Sequence, residues 1–274
     1  MVYMLFLYFF IYCVLGWMVE TIYCRILDGK WTNRGFLTGP YCPIYGFGSL
    51  IIIYFLNIFK ANPVAVFFLG MIFTSVLEYI TSYILEKLFH AKWWDYSYRK
   101  INLNGRICLL NSTEFAVLGL LLTYIVHPFI SSQVARIPEN LIPYISSGIF
   151  SILLIDCTST VFTLLNLKEK LVILRDLSEK FKLENNEEKK QKDSPIYKSF
   201  EDFKKNLVTK GHFQIERILN AFPNFEFSEF KKQLEEIKED FNDAREERKR
   251  KKQEKKEKKA NTKLQKELAK SKEK

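Results

Sequence analysis

Asn33-Arg34-Gly35-Phe36-Leu37-Thr38-Gly39-Pro40-Tyr41-Cys42-Pro43-Ile44-Tyr45-Gly46-Phe47-Gly48 lies between two apolar runs, and its reading decides the fold. Four glycines and two prolines interrupt it, so the backbone bends repeatedly and cannot hold one continuous helix. Aromatic side chains are interleaved with these breakers, which argues against a floppy linker. Irregular backbone at membrane depth is tolerated only where protein or a water-filled cavity satisfies its polar groups. Two readings stay open at this point. The stretch is an ordinary structured loop between two hairpinned spans, or it is a gate formed by Asn33, Gly35, Gly39, Pro40, Pro43, Tyr45, Gly46 and Gly48.

Working outward, the question is how many spans flank it. A transmembrane helix needs about twenty mostly apolar residues. Five stretches qualify: Val2–Ile26, Ile44–Phe59, Val64–Leu88, Leu109–Ile130 and Ile142–Leu167. The second is short, which fits a tilted helix, one that begins inside the Gly/Pro stretch, or one paired closely through Gly46 and Gly48. The first run lacks a basic n-region, is long enough to span and carries Glu20, so it reads as a span rather than a cleavable signal.

The charges are partitioned as sharply as the apolar residues. Met1 to Leu167 holds ten of the 41 Lys/Arg and eight of the 31 Asp/Glu; the rest fall in Lys168 to Lys274. The expected fold class is therefore all-α, a polytopic bundle of about five helices over 1–167, followed by a charged, helical to disordered tail over 168–274. The bases gather after the first and third spans and in the tail, while Lys60 and Arg136 stand alone after the second and fourth. Lys and Arg concentrate on the cytoplasmic side, so the expected topology has the N-terminus outside and the tail inside a cell (plasma) membrane. The tail's low apolar content leaves it little reason to pack on the spans, so the 1–167 core is expected to fold without it.

The second inner loop, Phe89-His90-Ala91-Lys92-Trp93-Trp94-Asp95-Tyr96-Ser97-Tyr98, is rich in rings with a polar handle, which favour the headgroup layer. It runs on into Asn104-Gly105-Arg106, where Asn-Gly marks a turn. Trp93, Trp94, Asn104 and Gly105 join the gate candidates; a plain interfacial anchor is the other reading.

Glu20, Glu78, Glu114 and Asp156 each fall inside an apolar span, where a charge is costly unless paired or wet and marks a functional site by default. With the expected topology all four lie in the inner half. Arg34 and Arg106, near the glycine turns of the inner loops, are their expected partners, because a guanidinium matches a carboxylate and keeps its charge when desolvated. With Asp95, these residues form the candidate polar cluster, read as a substrate or ion path, as interhelical ion pairs that fix packing, or as a proton relay alone. Glu86, nearer the span's end, is left out as a residue that simply snorkels.

In the tail, Leu171, Leu174, Leu177 and Phe181 continue helical spacing past the fifth span. A linker is expected at Asn185 to Ser194. Phe200, Phe203, Leu207, then Ile215, Ile218, Leu219 and Phe222, suggest a coiled-coil-like helical pair broken near Gly211 and stopped by Pro223. Ser228 is positioned to cap a last helix carrying Phe230, Leu234, Ile237 and Phe241. The basic end suits anionic lipid or an acidic protein patch; without an RNA-binding fold or stacking platform, nucleic acid is disfavoured.

The five cysteines form no CxxC pair, and neither HExxH, GxSxG nor a GxxxxGK[ST] phosphate loop occurs. No cofactor, metal or catalytic activity is expected. The motifs Gly16-Trp17…Glu20-Thr21, Asn33-Arg34-Gly35-Phe36-Leu37…Gly39-Pro40, Pro43-Ile44-Tyr45-Gly46-Phe47-Gly48, Glu78-Tyr79, Trp93-Trp94-Asp95-Tyr96 and Asn104-Gly105-Arg106-Ile107 recur in order over about Phe9 to Leu167. In them the chain resembles a family of bacterial integral membrane proteins described as ABC transporter permeases, type IV. The resemblance implies a permease subunit whose energy comes from a separate ATPase subunit. Two other functions remain open: a membrane-anchored scaffold that recruits a cytoplasmic partner through its basic tail, and a membrane enzyme acting on lipid headgroups. Self-association is compatible with all three.

Overall fold

In lipid a backbone must satisfy its own polar groups, so uninterrupted apolar runs fold as helices that end where a residue permits the chain to leave. The computed structural model describes residues 1–29, 31–184, 198–199, 201–203, 213–222, 225–227 and 230–272. Helix α1, Val2–Asp28, ends at Gly29, whose φ of 67° is the left-handed exit that glycine adopts without strain. Helix α2, Pro43–Phe55, begins with a proline at its first position, and a short 3-10 turn, Asn57–Phe59, follows it. Helix α3, Pro63–Phe89, is capped by Asn62, whose side chain accepts from the Val64 and Ala65 amides. The next span is continuous but uneven: α4 (Leu109–Leu121), a π turn (Leu122–Val126) and α5 (His127–Val134). The widened turn sits just ahead of Pro128, which has no N–H to give the preceding carbonyls. Helix α6 covers Ile142–Glu184.

Four of these helices are long and apolar enough to cross a membrane: Val2–Ile26, Pro63–Phe89, Leu109–Val134 and Ile142–Leu177. The fifth expected span, the second in order, is not one of them, because α2 has only 13 residues. The cause lies in the preceding loop. The Cys42 amide donates to the Cys13 carbonyl at 2.9 Å, and Cys13 is near the middle of α1. The chain has thus climbed back alongside α1 by some 15 residues of helix, about 22 Å, before α2 begins. Of the alternatives for a short second span, the structure takes the one that starts from the Gly/Pro stretch, and it adds close pairing: a Cβ at Gly16 would overlap the Tyr45 ring, and one at Gly46 would strike Cys13 and Phe9. Small residues are what allow such an approach between helices in lipid.

The described residues divide into two compact units, Met1–Glu169 with Phe213–Glu229, and Lys170–His212 with Phe230–Lys274. In the first, the apolar core gathers around Tyr12, Ile52, Leu56, Val66 and Leu122, and around Cys13, Leu37, Tyr41 and Leu153. The Tyr12 hydroxyl and His127 Nδ1 meet at 2.7 Å, and Ser146 donates to the Tyr3 carbonyl. A tail helix, α7 (Phe213–Ala221), belongs to this unit. Four two-residue strands do as well: β1 (Ala91–Lys92) pairs antiparallel with β4 (Glu226–Phe227), and β2 (Asn102–Leu103) with β3 (Ile107–Cys108). The expectation that the tail has nothing to bury against the spans fails for this segment, since Ile215, Ile218, Leu219, Ala221 and Phe225 are all buried.

In the second unit Leu171, Leu174, Phe230, Leu234, Ile237 and Phe241 are buried, and the Arg175 guanidinium lies 5.0 Å from the Phe230 ring centroid. Its last helix, α8 (Lys231–Lys272), is exposed from Glu246 to Lys259, with short-range pairs such as Lys249–Glu246 that contribute little. The expected linker at Asn185–Ser194, together with Phe200, Leu207, Gly211, Pro223 and Ser228, lies outside the described residues.

Candidate functional site

Loop 1, residues 29–42, is the irregular backbone that the membrane makes costly, and a set of hydrogen bonds to neighbouring elements satisfies several of its backbone groups. Asn33 organises the turn: its Oδ1 accepts from Trp17 Nε1 at 2.5 Å, and its Nδ2 donates to the Thr38 carbonyl at 2.9 Å. The Cys42 thiol donates to the Arg34 carbonyl at 2.8 Å. Asp156 on α6 then gathers the apex. Its carboxylate accepts from the Thr38 amide at 3.0 Å, the Gly39 amide at 2.8 Å and the Tyr41 hydroxyl at 2.6 Å. Gly39 has to be glycine, because a Cβ there would run into the Tyr41 ring.

The carbonyl side of the same loop faces a cation. Arg217 of α7, only 7% exposed, donates from Nη1 to the Gly35 carbonyl at 2.8 Å and from Nη2 to the Phe36 carbonyl at 2.9 Å. Burial pulls its guanidinium below the usual arginine range, and Asp156 opposes that pull through its charge. Loop 1 returns the contact: Arg34 donates from Nη1 to the Ala221 carbonyl at the end of α7, and from Nε to Cys24 Sγ. The peptide dipoles of residues 35–39 therefore lie between an anion at their N–H groups and a cation at their C=O groups. That is the polarity each charge favours.

Loop 2, residues 90–106, closes over this arrangement. Trp93, 2% exposed, has the rings of Phe36, Phe89, Phe222 and Phe225 within 6 Å of its own, joining loop 1, α3 and the tail segment. Trp94 donates to the Arg106 carbonyl. The Asn-Gly turn is as expected, with φ of 53° at Asn104 and 67° at Gly105. Asp95 accepts from the Ser97 amide at 2.8 Å, and hydrogen bonding from the Ser97 hydroxyl first and this amide second, more than Lys92 at 3.8 Å, holds its carboxyl below the usual range. The Tyr96 amide donates to the Gly105 carbonyl and its hydroxyl to Glu78 at 3.2 Å.

The acids do not share one pocket. Asp156 belongs to loop 1. Glu20 accepts from the Tyr45 hydroxyl at 2.7 Å and lies within electrostatic reach of Glu78. Glu78 is 4% exposed, and its Oε2 has no hydrogen-bond partner among the described residues. Glu114 is exposed. Arg106 reaches neither Glu78 nor Asp156 but pairs with Glu86 at 2.6 Å and lies over the Tyr79 and Tyr83 rings. The reason is position along α3: the hairpin delivers Arg106 to the helix end, two turns or about 12 Å beyond Glu78. Glu86, set aside from sequence, is the partner. Arg34 is directed to Cys24 and the tail, and its contact with Cys24 sits about one helical turn of α1 short of Glu20.

The residues that sequence reasoning missed are Arg217, Trp17 and Tyr41. Arg217 stands amid apolar Ile215, Ile218 and Leu219, so a charge on the buried side of an amphipathic run was the available signal. No curated protein and no solved structure matches the chain. A family match covers residues 7–161, which include loop 1, loop 2, Glu20, Glu78 and Asp156 but not α7. The chain is a member of the family described as "Putative ABC-transporter type IV".

Proposed function

We propose that this multi-pass membrane protein is the permease subunit of an ABC-type transporter and that a separate ATPase subunit supplies its energy. The observation that carries the reading is loop 1. An irregular backbone brought to the middle of α1, lined on one side by Asp156 and followed by Tyr45 over Glu20, is what a membrane path requires and what a passive anchor has no use for. Glu78, buried with one oxygen unpartnered, makes the path suited to a cation or an amine-bearing substrate. Membership of the family supports the transporter class. In this reading the chain is itself no enzyme, the N-terminus is outside the plasma membrane of a bacterium, loop 1 enters the bundle from the cytoplasmic side, and loop 2 and the tail are cytoplasmic.

The test is purification of the intact protein from its native membrane, with bound proteins identified by mass spectrometry. An ATPase recovered in fixed ratio, whose ATP hydrolysis in reconstituted vesicles falls in Glu20→Gln or Glu78→Gln, is the expected result. Recovery of non-ATPase partners, abolished by removing Arg245–Lys274, would instead establish the scaffold reading, for which the long exposed charged face of α8 is the favouring observation.

A further inference from the structure

Loop 1 is fixed from two sides, and the two sides come from different parts of the chain. Asp156 is part of the span bundle. Arg217 and the Ala221 carbonyl belong to a nine-residue helix that lies outside the family match and inside the charged tail. The exchange is reciprocal, with Arg217 donating to loop 1 carbonyls and Arg34 of loop 1 donating to α7. The segment is then pinned to loop 2 twice more: β4 pairs with β1, and Phe222 and Phe225 pack on Trp93. Gln214 donates to Ser159 on α6, within one turn of Asp156, and also meets Thr163.

We infer that residues 213–222 and 225–227 act as a latch for the membrane-embedded loop, with Arg217 as the positioning residue. While the latch is seated, the Gly35 and Phe36 carbonyls are satisfied and Thr38 and Gly39 are presented to Asp156. When it leaves, two carbonyls inside the protein lose their donors, and a buried group without a partner is costly enough to drive rearrangement. Loop 1 then has one fixed side instead of two. Occupancy of the tail segment, by itself or by a partner that draws it away, is in this way transmitted to the Asp156 end of the path. Coupling of this kind is reciprocal, so disturbing Asp156 must loosen the latch in turn.

Hydrogen exchange of the full chain in nanodiscs, read by mass spectrometry, tests this without any ATPase, so its outcome is independent of the transport reading. In Arg217→Ala the peptide covering 33–42 should exchange at least tenfold faster while α3 and α4 are unchanged, and Arg217→Lys, which restores an N–H donor and charge, should recover most of the protection. Phe225→Ala, which unseats the segment from Trp93 but keeps the guanidinium, should act in the same direction. Asp156→Asn should raise exchange across 213–222. Faster exchange in 213–227 with loop 1 unchanged would overturn the latch. If Arg217→Ala speeds exchange everywhere, Phe225→Ala decides: loop 1 must still exchange faster than α3 and α4, or the inference is wrong.

Discussion

Asp156 shows how one side chain can make an irregular loop tolerable in a span bundle. Its carboxylate takes four donors: the Thr38 and Gly39 amides and the Tyr41 hydroxyl of the loop apex, and the Thr160 hydroxyl one turn along its own helix. Hydrogen bonds to a charged group contribute about 1.5–3 kcal/mol each, so Asp156→Asn, which keeps the shape but loses the charge, should cost a few kcal/mol and lower the melting temperature in detergent. A melting temperature within error of the parent would show that the apex does not depend on that charge. Asp95 supplies a pH signature. Its carboxyl titrates below the ordinary value in the folded chain because the Ser97 hydroxyl, and after it the Ser97 amide, binds the anion. The stability this contributes is present above the ordinary aspartate value, about 3.9, and is lost as pH falls through the folded one. The melting temperature of Asp95→Asn should therefore fall less steeply than that of the parent on acidification into this range.

At the scale of elements, the short α2 is explained by where it starts rather than by what it contains. Gly16 and Gly46 let α1 and α2 lie close enough for the Cys42 amide to reach Cys13. Gly16→Leu should displace the Tyr45 ring, with a cost of about 1–3 kcal/mol for overpacking; unchanged thermal stability would show that the helices can part freely. The loop charges make a separate prediction about sidedness: cysteines introduced at Asn62 and Glu139 should react with an impermeant maleimide in intact cells, and reaction only after permeabilisation would reverse the topology. The helices were legible in the sequence because apolar runs of span length have one stable answer in lipid. The Asn104-Gly105 turn was legible because few other dipeptides take two positive φ values. Asp156 could be read as unusual but not matched, since its partners are the amides of Thr38 and Gly39, and a backbone N–H has no signature in a sequence. Arg217 was hidden for a different reason: it is one of 31 bases in the tail, and only its buried neighbours single it out.

At the scale of the whole molecule, the charged tail is not one thing. Residues 213–222 and 225–227 are built into the first unit, whereas α8 from Glu246 to Lys259 presents charge to its surroundings. Two truncations separate these roles. A chain ending at Phe227 should remain monodisperse in detergent with loop 1 protected from proteolysis, and one ending at Glu184, which lacks the latch, should aggregate or be cut in loop 1. Equal behaviour of the two would mean that the docked segment adds nothing to the fold.

The Arg217–Phe36 bond joins residues 181 positions apart, and that separation has a meaning in time. A ribosome adds about 5–20 residues per second, so loop 1 leaves the exit tunnel roughly 10–35 s before the residue that completes its hydrogen bonding. During that interval the Gly35 and Phe36 carbonyls are held in a half-built bundle with no internal donor. Biogenesis must therefore either delay the entry of loop 1 between the helices or lend it a temporary partner, and a nascent chain stalled before Arg217 has emerged would be recognised as unfinished at that loop.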